Sequence, residues 1–179
     1  MTTGEYFNKI AEQYNGTFDI YRNKEINGEK YLAYGYFYSH SEKYVLVKEV
    51  QLWEAKSYEH IIFMDISEMT INDFKKIDEL IKEYMEPFLV RKGKKYPEKN
   101  HMYSFLTVVA FASKRIPDDI KTKIRKYRFE KNYLFSIRGY SSSRIVVIDI
   151  ENMEIITNKA GKSLNKLYKS FLSKNNILN

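Results

Sequence analysis

The sequence predicts an α+β fold in which a mixed β-sheet is packed with about four helices. Three observations support this prediction. Four segments carry apolar residues at helical spacing, residues 18–66 contain short runs rich in Tyr, Val and Ile, and residues 103–112 are almost continuously apolar. The sheet should therefore combine an N-terminal antiparallel meander, a strand–helix–strand unit and a C-terminal hairpin.

The chain is predicted to open with an amphipathic helix that leads into the meander. Thr2 and Glu5 have the spacing of a capping box, and Asn15-Gly16 ends the helical pattern. Residues 18–66 then predict about four strands, because turn-forming and polar residues interrupt the apolar runs. The interruptions are at Asn27-Gly28, His40-Ser41-Glu42 and Lys56-Ser57.

A second helix and a buried strand are predicted in the middle of the chain. Thr70 and Asp73 form another capping-box pattern, and Pro87 is expected to end the helix that they start. Residues 91–100 are predicted to form a basic loop. The apolar run at 103–112 is typical of a strand that is covered on both faces, so we expect it near the centre of the sheet.

The C-terminal part of the chain predicts a crossover and a hairpin. Pro117 suits the first turn of a third helix, whose Lys121 should face solvent. A strand at about 131–138 would complete a parallel strand–helix–strand unit. Residues 144–150 with 154–157 predict the hairpin, and an amphipathic helix at about 160–172 follows.

Composition limits the classes of protein that the chain can belong to. At 179 residues it has the size of one domain, which we predict to span residues 1–179. The absence of cysteine excludes disulfide scaffolds, thiolate metal sites and a cysteine nucleophile. Neither a secretory signal pattern nor an apolar run of transmembrane length occurs, so we expect a cytoplasmic protein without a membrane span.

Charge is distributed unevenly along the chain. Residues 1–90 contain 10 Lys/Arg and 16 Asp/Glu, whereas residues 91–179 contain 20 Lys/Arg and 7 Asp/Glu. A basic half of this kind favours a polyanionic partner, either nucleic acid or an acidic protein. The candidate polyanion-binding residues are Arg91, Lys92, Lys94, Lys95, Arg125, Lys126, Arg128, Arg138 and Arg144.

Two of these arginines have a second interpretation. Arg138 and Arg144 flank the start of the last hairpin, where two guanidinium groups could clamp a phosphate. They could equally form ion pairs with the acidic N-terminal half. A self-associating domain, in which the acidic half of one copy docks on the basic half of another, therefore stays an alternative, and no oligomeric state is predicted.

A three-residue pattern supports an enzymatic alternative. Glu54 and Lys56 lie two positions apart in a predicted strand, so their side chains point to the same face, as in the E-x-K half of a metal-dependent nuclease site. Asp19 could supply the second carboxylate for Mg²⁺. This alternative implies a restriction-endonuclease-like fold, but the pattern is short and occurs often by chance. Without it, no cofactor is expected.

His101 is a further candidate catalytic residue. It follows the basic loop and precedes the apolar strand, which would place an imidazole at the edge of the sheet. A hydrogen-bonded structural histidine at the start of a strand is the alternative. The three histidines are far apart in sequence, so no metal site is predicted.

Four segments together resemble a known family. FDIYRNKEING, HSEKYVLVKEVQLWE, NHMYSFLTVV and IRGYSSSRIVVIDIENMEIITNKAGK are similar to uncharacterised bacterial proteins, common in clostridia, that are catalogued as a domain of unknown function. The resemblance covers nearly the whole chain. It implies a bacterial cytoplasmic protein with one domain and carries over no catalytic residue. The leading prediction is based on the charge distribution alone, and it is a non-enzymatic binding domain whose basic C-terminal half contacts nucleic acid or another polyanion.

Overall fold

A computed structural model of the chain describes residues 2–44 and 51–173, with the backbone alone for residues 42–44, 51–54 and 173. In this part of the chain a mixed sheet of seven strands is covered by helices on both faces. The predicted α+β class is confirmed. In chain order the elements are α1 (Thr3–Tyr14), β1 (Asp19–Ile26), β2 (Glu29–Tyr44), β3 (Gln51–Ile66), α2 (Ile71–Glu79), a π-helix (Leu80–Val90), β4 (His101–Ala112), α3 (Asp118–Lys126), β5 (Glu130–Asn132), β6 (Tyr140–Asp149), β7 (Glu154–Thr157), a 3-10 helix (Ala160–Leu164) and α4 (Asn165–Ser173).

Parallel strands form the centre of the sheet. The strand order is β1-β2-β3-β4-β6-β5, and β7 also pairs with β6. β3, β4 and β6 are parallel neighbours, whereas β1, β2, β5 and β7 each pair antiparallel with their partners. The predicted buried strand is β4, and it lies between β3 and β6. The expectation of a central strand covered on both faces is confirmed.

Side chains that alternate along the central strands divide the core into two clusters. Val108 packs with α2, the π-helix and α3 on one face, and Val109 packs with α1 and α4 on the other. The hydroxyl of Tyr6 donates a hydrogen bond to the carbonyl of Tyr168 at 2.7 Å, which connects α1 to α4. Each fully buried large apolar side chain stabilises the fold by about 1.5–3 kcal/mol.

Both predicted capping boxes are confirmed. The N–H of Glu5 donates to Thr2 Oγ1 at 3.3 Å, and the N–H of Thr2 donates to a Glu5 carboxylate oxygen at 2.8 Å. Thr70 and Asp73 make the same reciprocal pair at the start of α2. Each cap satisfies backbone N–H groups that have no partner inside the helix and contributes about 1 kcal/mol.

The meander has fewer and longer strands than predicted. Residues 40–42 do not interrupt β2, and residues 56–57 do not interrupt β3. The two predicted breaks pair with each other, since His40 is opposite Lys56 and Ser39 is opposite Ser57. Cross-strand pairing of these polar residues thus maintains the hydrogen-bonded ladder between β2 and β3, although the sequence of each segment alone indicates a turn.

The prediction that Pro87 ends the second helix is wrong. Pro87 lies inside the π-helix, which continues to Val90. An α-helix would bring the proline ring against the carbonyl four residues earlier. A π-helix closes its hydrogen bonds between residues five apart, as the N–H of Arg91 does with the carbonyl of Glu86 at 3.2 Å, and this wider turn accommodates the ring.

Two predictions in the C-terminal half are also corrected. The strand expected at 131–138 is only Glu130–Asn132, which pairs antiparallel with β6, so the parallel partner of β4 is β6 itself. Lys121 is buried rather than exposed, and its ammonium group pairs with Glu154 at the start of β7. The predicted hairpin is confirmed as β6 and β7.

None of the helices within residues 2–44 and 51–173 has the length and apolar character that a membrane-spanning helix requires.

Gly139, which precedes β6, is predicted to be required for folding. Its φ is +70°, and a Cβ atom there would lie 2.1 Å from the carbonyl oxygen of Met102. We expect Gly139→Ala to lower the free energy of unfolding by about 2 kcal/mol or more beyond the usual cost of a left-handed alanine. Urea denaturation followed by circular dichroism measures this change.

Gly93→Ala is the matched control for that collision. Gly93 has a φ of +74°, but a Cβ atom added at this position would have no other atom within 4 Å. The free energy of unfolding of Gly93→Ala should fall by about 1–2 kcal/mol only, which is the cost of a left-handed conformation in a non-glycine residue. If Gly139→Ala and Gly93→Ala lowered the free energy of unfolding equally, the contact with Met102 would have no energetic consequence.

Candidate functional site

A cavity of about 390 Å³ lies on the sheet face that carries the π-helix, near the end where β4 begins. Its floor consists of side chains from β1 to β4. One wall is formed by Phe88, Leu89 and Val90 at the end of the π-helix, and the rim includes Lys92 and Glu98 from the loop that follows. We call this cavity the aromatic cleft.

Five aromatic side chains form a row across four neighbouring strands on the cleft floor. In order they are Tyr21, Tyr34, His60, Tyr58 and His101. Successive ring planes deviate from parallel by 19°, 12°, 10° and 11°, and successive centroids are 5.9, 6.1, 6.4 and 6.0 Å apart. The row exists because side chains of one parity in each strand project to the same face and the register aligns them.

Two more tyrosines of β2 extend this aromatic surface. Tyr36 lines the cleft with its ring centroid 6.3 Å from that of Tyr58, and Tyr38 stacks on Tyr58 at 5.1 Å. Tyr38 and Tyr21 are exposed. The aromatic surface is therefore accessible from solvent at the β1–β2 side and enclosed at the β4 side.

Glu98 is an ionised carboxylate with three donors. It accepts hydrogen bonds from the Tyr58 hydroxyl at 2.9 Å, from Lys56 Nζ at 3.1 Å and from Lys92 Nζ at 3.3 Å. Partial burial opposes ionisation of Glu98, but these hydrogen bonds outweigh it and lower the pKa to about 2. Burial, and then the hydrogen bond to the same carboxylate, raise the pKa of Tyr58 well above its usual value.

His60 is a neutral imidazole in the middle of the row. It is buried, and burial lowers its pKa to about 4, with smaller contributions from Lys92 and His101. Its Nδ1 atom is 2.8 Å from the hydroxyl of Tyr34. Because burial also raises the pKa of Tyr34, both partners are uncharged at neutral pH.

His101, a candidate catalytic residue, lines the cleft. Its Nδ1 lies 2.7 Å from the carbonyl oxygen of Arg138, and its Nε2 lies 2.8 Å from Ser104 Oγ. A carbonyl oxygen only accepts, so Nδ1 carries the hydrogen and Nε2 accepts from Ser104. Burial lowers the pKa of His101, in agreement with a neutral ring. Protein groups thus engage both nitrogens.

A buried carboxylate connects the cleft wall to the segment before β6. Glu86 of the π-helix pairs with Arg91 at 2.6 Å and Lys131 at 3.0 Å, and accepts the hydroxyl of Tyr133 at 2.9 Å. Although burial opposes its ionisation, these partners keep the pKa of Glu86 below its ordinary value. The Tyr133 ring also packs edge-on against His101. The cleft wall is therefore rigidly supported.

The nine predicted polyanion-binding residues are only partly brought together. Arg91, Lys92, Lys94 and Lys95 lie in the loop that precedes β4, and Arg138 directly precedes β6. Because β4 and β6 are parallel neighbours, both positions are at the same end of the sheet. The other four lie on α3, beyond it or within β6, and they are Arg125, Lys126, Arg128 and Arg144.

Five of the nine already have acidic partners in the fold. Arg91 pairs with Glu86, Lys92 with Glu98, Arg125 with Glu154, Arg128 with Glu130, and Arg144 with Glu59. The pairs of Lys92, Arg125 and Arg128 are solvent-exposed and therefore weak. Within the described part of the chain, the other four form no ion pair, and they are Lys94, Lys95, Lys126 and Arg138.

Arg144 does not join Arg138. It lies on the opposite sheet face, where its guanidinium carbon is 3.3 Å from the centroid of the Phe105 ring and its Nη1 is 3.3 Å from Glu59. The Arg138 carbonyl contacts His101. Arg144 is level with Thr107, so six residue steps of β4, or about 20 Å, separate the two levels. The two guanidinium groups cannot hold one phosphate together in this arrangement.

The residues of the nuclease alternative do not converge on one point. Asp19 is level with Tyr36 and His60 in the register, so six residues of β3, or about 20 Å, separate it from the level of Glu54. The side chain of Glu54 lies outside the described residues. Lys56 Nζ contacts Glu98. Among the residues whose positions are described, no group of three or more His, Asp or Glu could hold a metal ion.

Sequence reasoning missed most of the aromatic cleft. Its tyrosines are absent from the predicted candidate residues, yet five of them lie on the surface that lines or borders the cleft, namely Tyr21, Tyr34, Tyr36, Tyr38 and Tyr58. The available signal was their alternation, at positions 34, 36 and 38 and again at 58 with His60. It identifies one face of each strand but not which face is covered.

Comparison with known families identifies the chain. Residues 2–170 match the model of a domain of unknown function, DUF8052. The chain belongs to this family. The matched DUF8052 residues include every residue of the cleft and the whole sheet. Neither a curated protein nor a solved structure matches. The expected membership of a family of unknown function is thus confirmed, while the bacterial origin stays a prediction.

His60 predicts loss of stability in mild acid. The unfolded chain takes up a proton on this histidine near its ordinary pKa of 6.5, whereas the folded chain does so only near 4. Acidification through this window therefore favours the unfolded state, and the free energy of unfolding should fall by about 2 kcal/mol between pH 7 and pH 5. Urea midpoints at both pH values measure this.

His60→Gln should make the stability less dependent on pH in this window, because glutamine does not titrate. The matched control is His40→Gln, which replaces an exposed histidine on the same sheet face. A pH dependence that persists unchanged in His60→Gln contradicts the assignment.

Proposed function

We propose that this chain is a non-enzymatic domain that binds single-stranded nucleic acid. The aromatic cleft stacks a base, and lysines at its mouth contact the adjoining phosphates. The observation that carries the proposal is the row of five nearly parallel rings that lines a cavity beside Lys24 and Lys92.

Stacking is the interaction for which the cleft is best suited. A volume of about 390 Å³ lies within the range of small-ligand sites, and a single base with its sugar has such a size. Every base has a π-face, so tyrosine and histidine rings hold single strands without reading their sequence. A duplex keeps its bases paired and stacked, which excludes them from the cleft.

Positive charge at the mouth supports a phosphate-bearing ligand. Lys24 of β1 lines the cleft and makes no ion pair within residues 2–44 and 51–173. Lys92 pairs with Glu98 through an exposed contact, which a phosphate can replace at small cost. Beyond Lys92, the basic loop continues to Lys94 and Lys95 and gives the strand a path along the end of the sheet.

The hydrogen bonds in the cleft support binding rather than catalysis. The Glu98 carboxylate already has three donors, His101 has a partner at each nitrogen, and His60 is paired with Tyr34. A general base or nucleophile needs an atom that is free to reach the substrate. These groups instead shape and stiffen the site, as a preformed binding cleft requires.

Tyr36→Leu tests the stacking site. The variant removes one ring of the cleft while retaining an apolar side chain, and we expect affinity for a labelled single-stranded dodecamer to fall by about 1–3 kcal/mol. Fluorescence anisotropy with DNA and RNA measures the change. Tyr103→Leu is the matched control, since Tyr103 is a partly buried tyrosine outside the cleft.

The comparison of ligands separates the alternatives. Single strands should bind more tightly than duplexes of the same length, and a mononucleotide should compete weakly. Full competition by the mononucleotide would assign the cleft to a free nucleotide. Absence of binding to any single strand at low salt would refute the proposal, as would equal affinities for single and double strands.

Lys24→Gln tests the phosphate contact. For single strands, each phosphate contacted contributes about 0.7 to the slope of log affinity against log salt, so the variant should reduce the slope by about that amount. Lys166→Gln, at an exposed lysine of α4, is the control. An unchanged slope in Lys24→Gln would show that this lysine does not contact the strand.

A further inference from the structure

The segment between β5 and β6 presents apolar side chains to solvent. Phe135 is 97% exposed and Ile137 is 75% exposed, and Leu134 beside them is also exposed. We call these three residues the apolar tip. Core packing does not account for side chains at this level of exposure, and such positions in a protein often belong to interaction sites.

The backbone of the tip is fixed in an unfavourable conformation. Leu134, Phe135 and Ser136 have φ values of 49°, 51° and 68°, a left-handed run that non-glycine residues rarely adopt. Hydrogen bonds close the loop, from Tyr133 N–H to the carbonyl of Gly139 at 2.9 Å and from Arg138 N–H to the carbonyl of Tyr133 at 3.1 Å. The surrounding structure therefore holds the tip in a strained conformation that faces outward. Strained backbone of this kind is concentrated at functional sites in proteins.

The tip lies at the basic end of the sheet. The loop before β4 holds five Lys/Arg and one Asp/Glu in residues 91–100, and residues 128–140, which contain the tip, hold three Lys/Arg and one Asp/Glu. The two acidic residues, Glu98 and Glu130, are both paired with basic side chains. Met102 and Tyr140, also exposed, adjoin the tip at the starts of β4 and β6.

We propose that the apolar tip inserts into the interfacial region of an anionic lipid membrane while the basic loop at 91–100 and Arg138 contact the headgroups. Stable peripheral binding needs two signals, here an apolar group and a basic patch, and both lie at one end of the sheet. A tip that projects from the sheet needs no preformed groove in its partner. The basic loop is shared with the nucleic-acid proposal, but the apolar tip has no part in that proposal.

Phe135→Asn tests the insertion without endangering the fold. Asparagine adopts the left-handed conformation more readily than phenylalanine, so the variant should be at least as stable as the wild type. We expect wild-type protein to sediment with phosphatidylcholine vesicles that contain roughly one-third phosphatidylserine, and not with phosphatidylcholine alone. Phe135→Asn should reduce the partition coefficient about tenfold or more.

Met153→Ser is the matched control, because Met153 is an exposed apolar residue in the β6–β7 turn at the opposite end of the sheet. It should sediment as the wild type does. Lys99→Gln combined with Arg138→Gln should weaken vesicle binding and its salt dependence, because Lys99 is exposed, Arg138 adjoins the tip, and the nucleic-acid proposal uses neither residue. Both sets of variants should bind oligonucleotides through the cleft, which keeps the failure of one proposal distinguishable from that of the other.

The proposal would be overturned if Phe135→Asn partitioned into the anionic vesicles as strongly as the wild type does. It would also be overturned if the wild-type protein did not sediment with these vesicles. Analytical ultracentrifugation gives a third outcome. Self-association that Phe135→Asn abolishes, without any binding to vesicles, would assign the tip to a second copy of this chain instead.

Discussion

The parallel pairing of β4 with β3 and β6 is the constraint on which the other features depend. Parallel neighbours begin at the same end of a sheet, so the segments that lead into β4 and β6 must lie side by side. These segments are the basic loop at 91–100 and the loop with the apolar tip. The helices that connect β3 to β4 and β4 to β6 cover one face of these strands, and α1 and α4 cover the other. The aromatic cleft occupies an area that the first group of helices leaves uncovered, beside the end of the π-helix.

Local sequence signals predicted the parts of the fold that local interactions determine. The caps at Thr2 and Thr70 depend on residues three positions apart, and the apolar run of β4 depends only on its own composition. Predictions failed where distant residues decide the outcome. The polar residues near His40 and Lys56 pair with each other across strands, and Pro87 is accommodated by a helix type that no propensity indicates.

The candidate site was predictable only in fragments. The charge distribution identified Lys92, and the position before an apolar strand identified His101, and both residues border the cleft. The tyrosines of the cleft were not among the candidate residues, because a sequence shows which residues share a strand face without showing whether a helix covers that face. The same limit applies to charge, since the acidic partners of Arg91 and Arg144 became visible only in the folded chain.

The position of the cleft wall depends on the number of residues in the π-helix as well as on their side chains. Relative to an α-helix, a π-helix accommodates an extra residue in its turns. Pro87 opposes α-helical winding at this point, so a deletion between Leu80 and Phe88 would not be absorbed by a return to a regular α-helix. Every later residue of the helix would instead move by one position around the axis. Phe88, Leu89 and Val90 would then face a different direction, and the cleft would lose its wall while β1 to β4 keep the same floor.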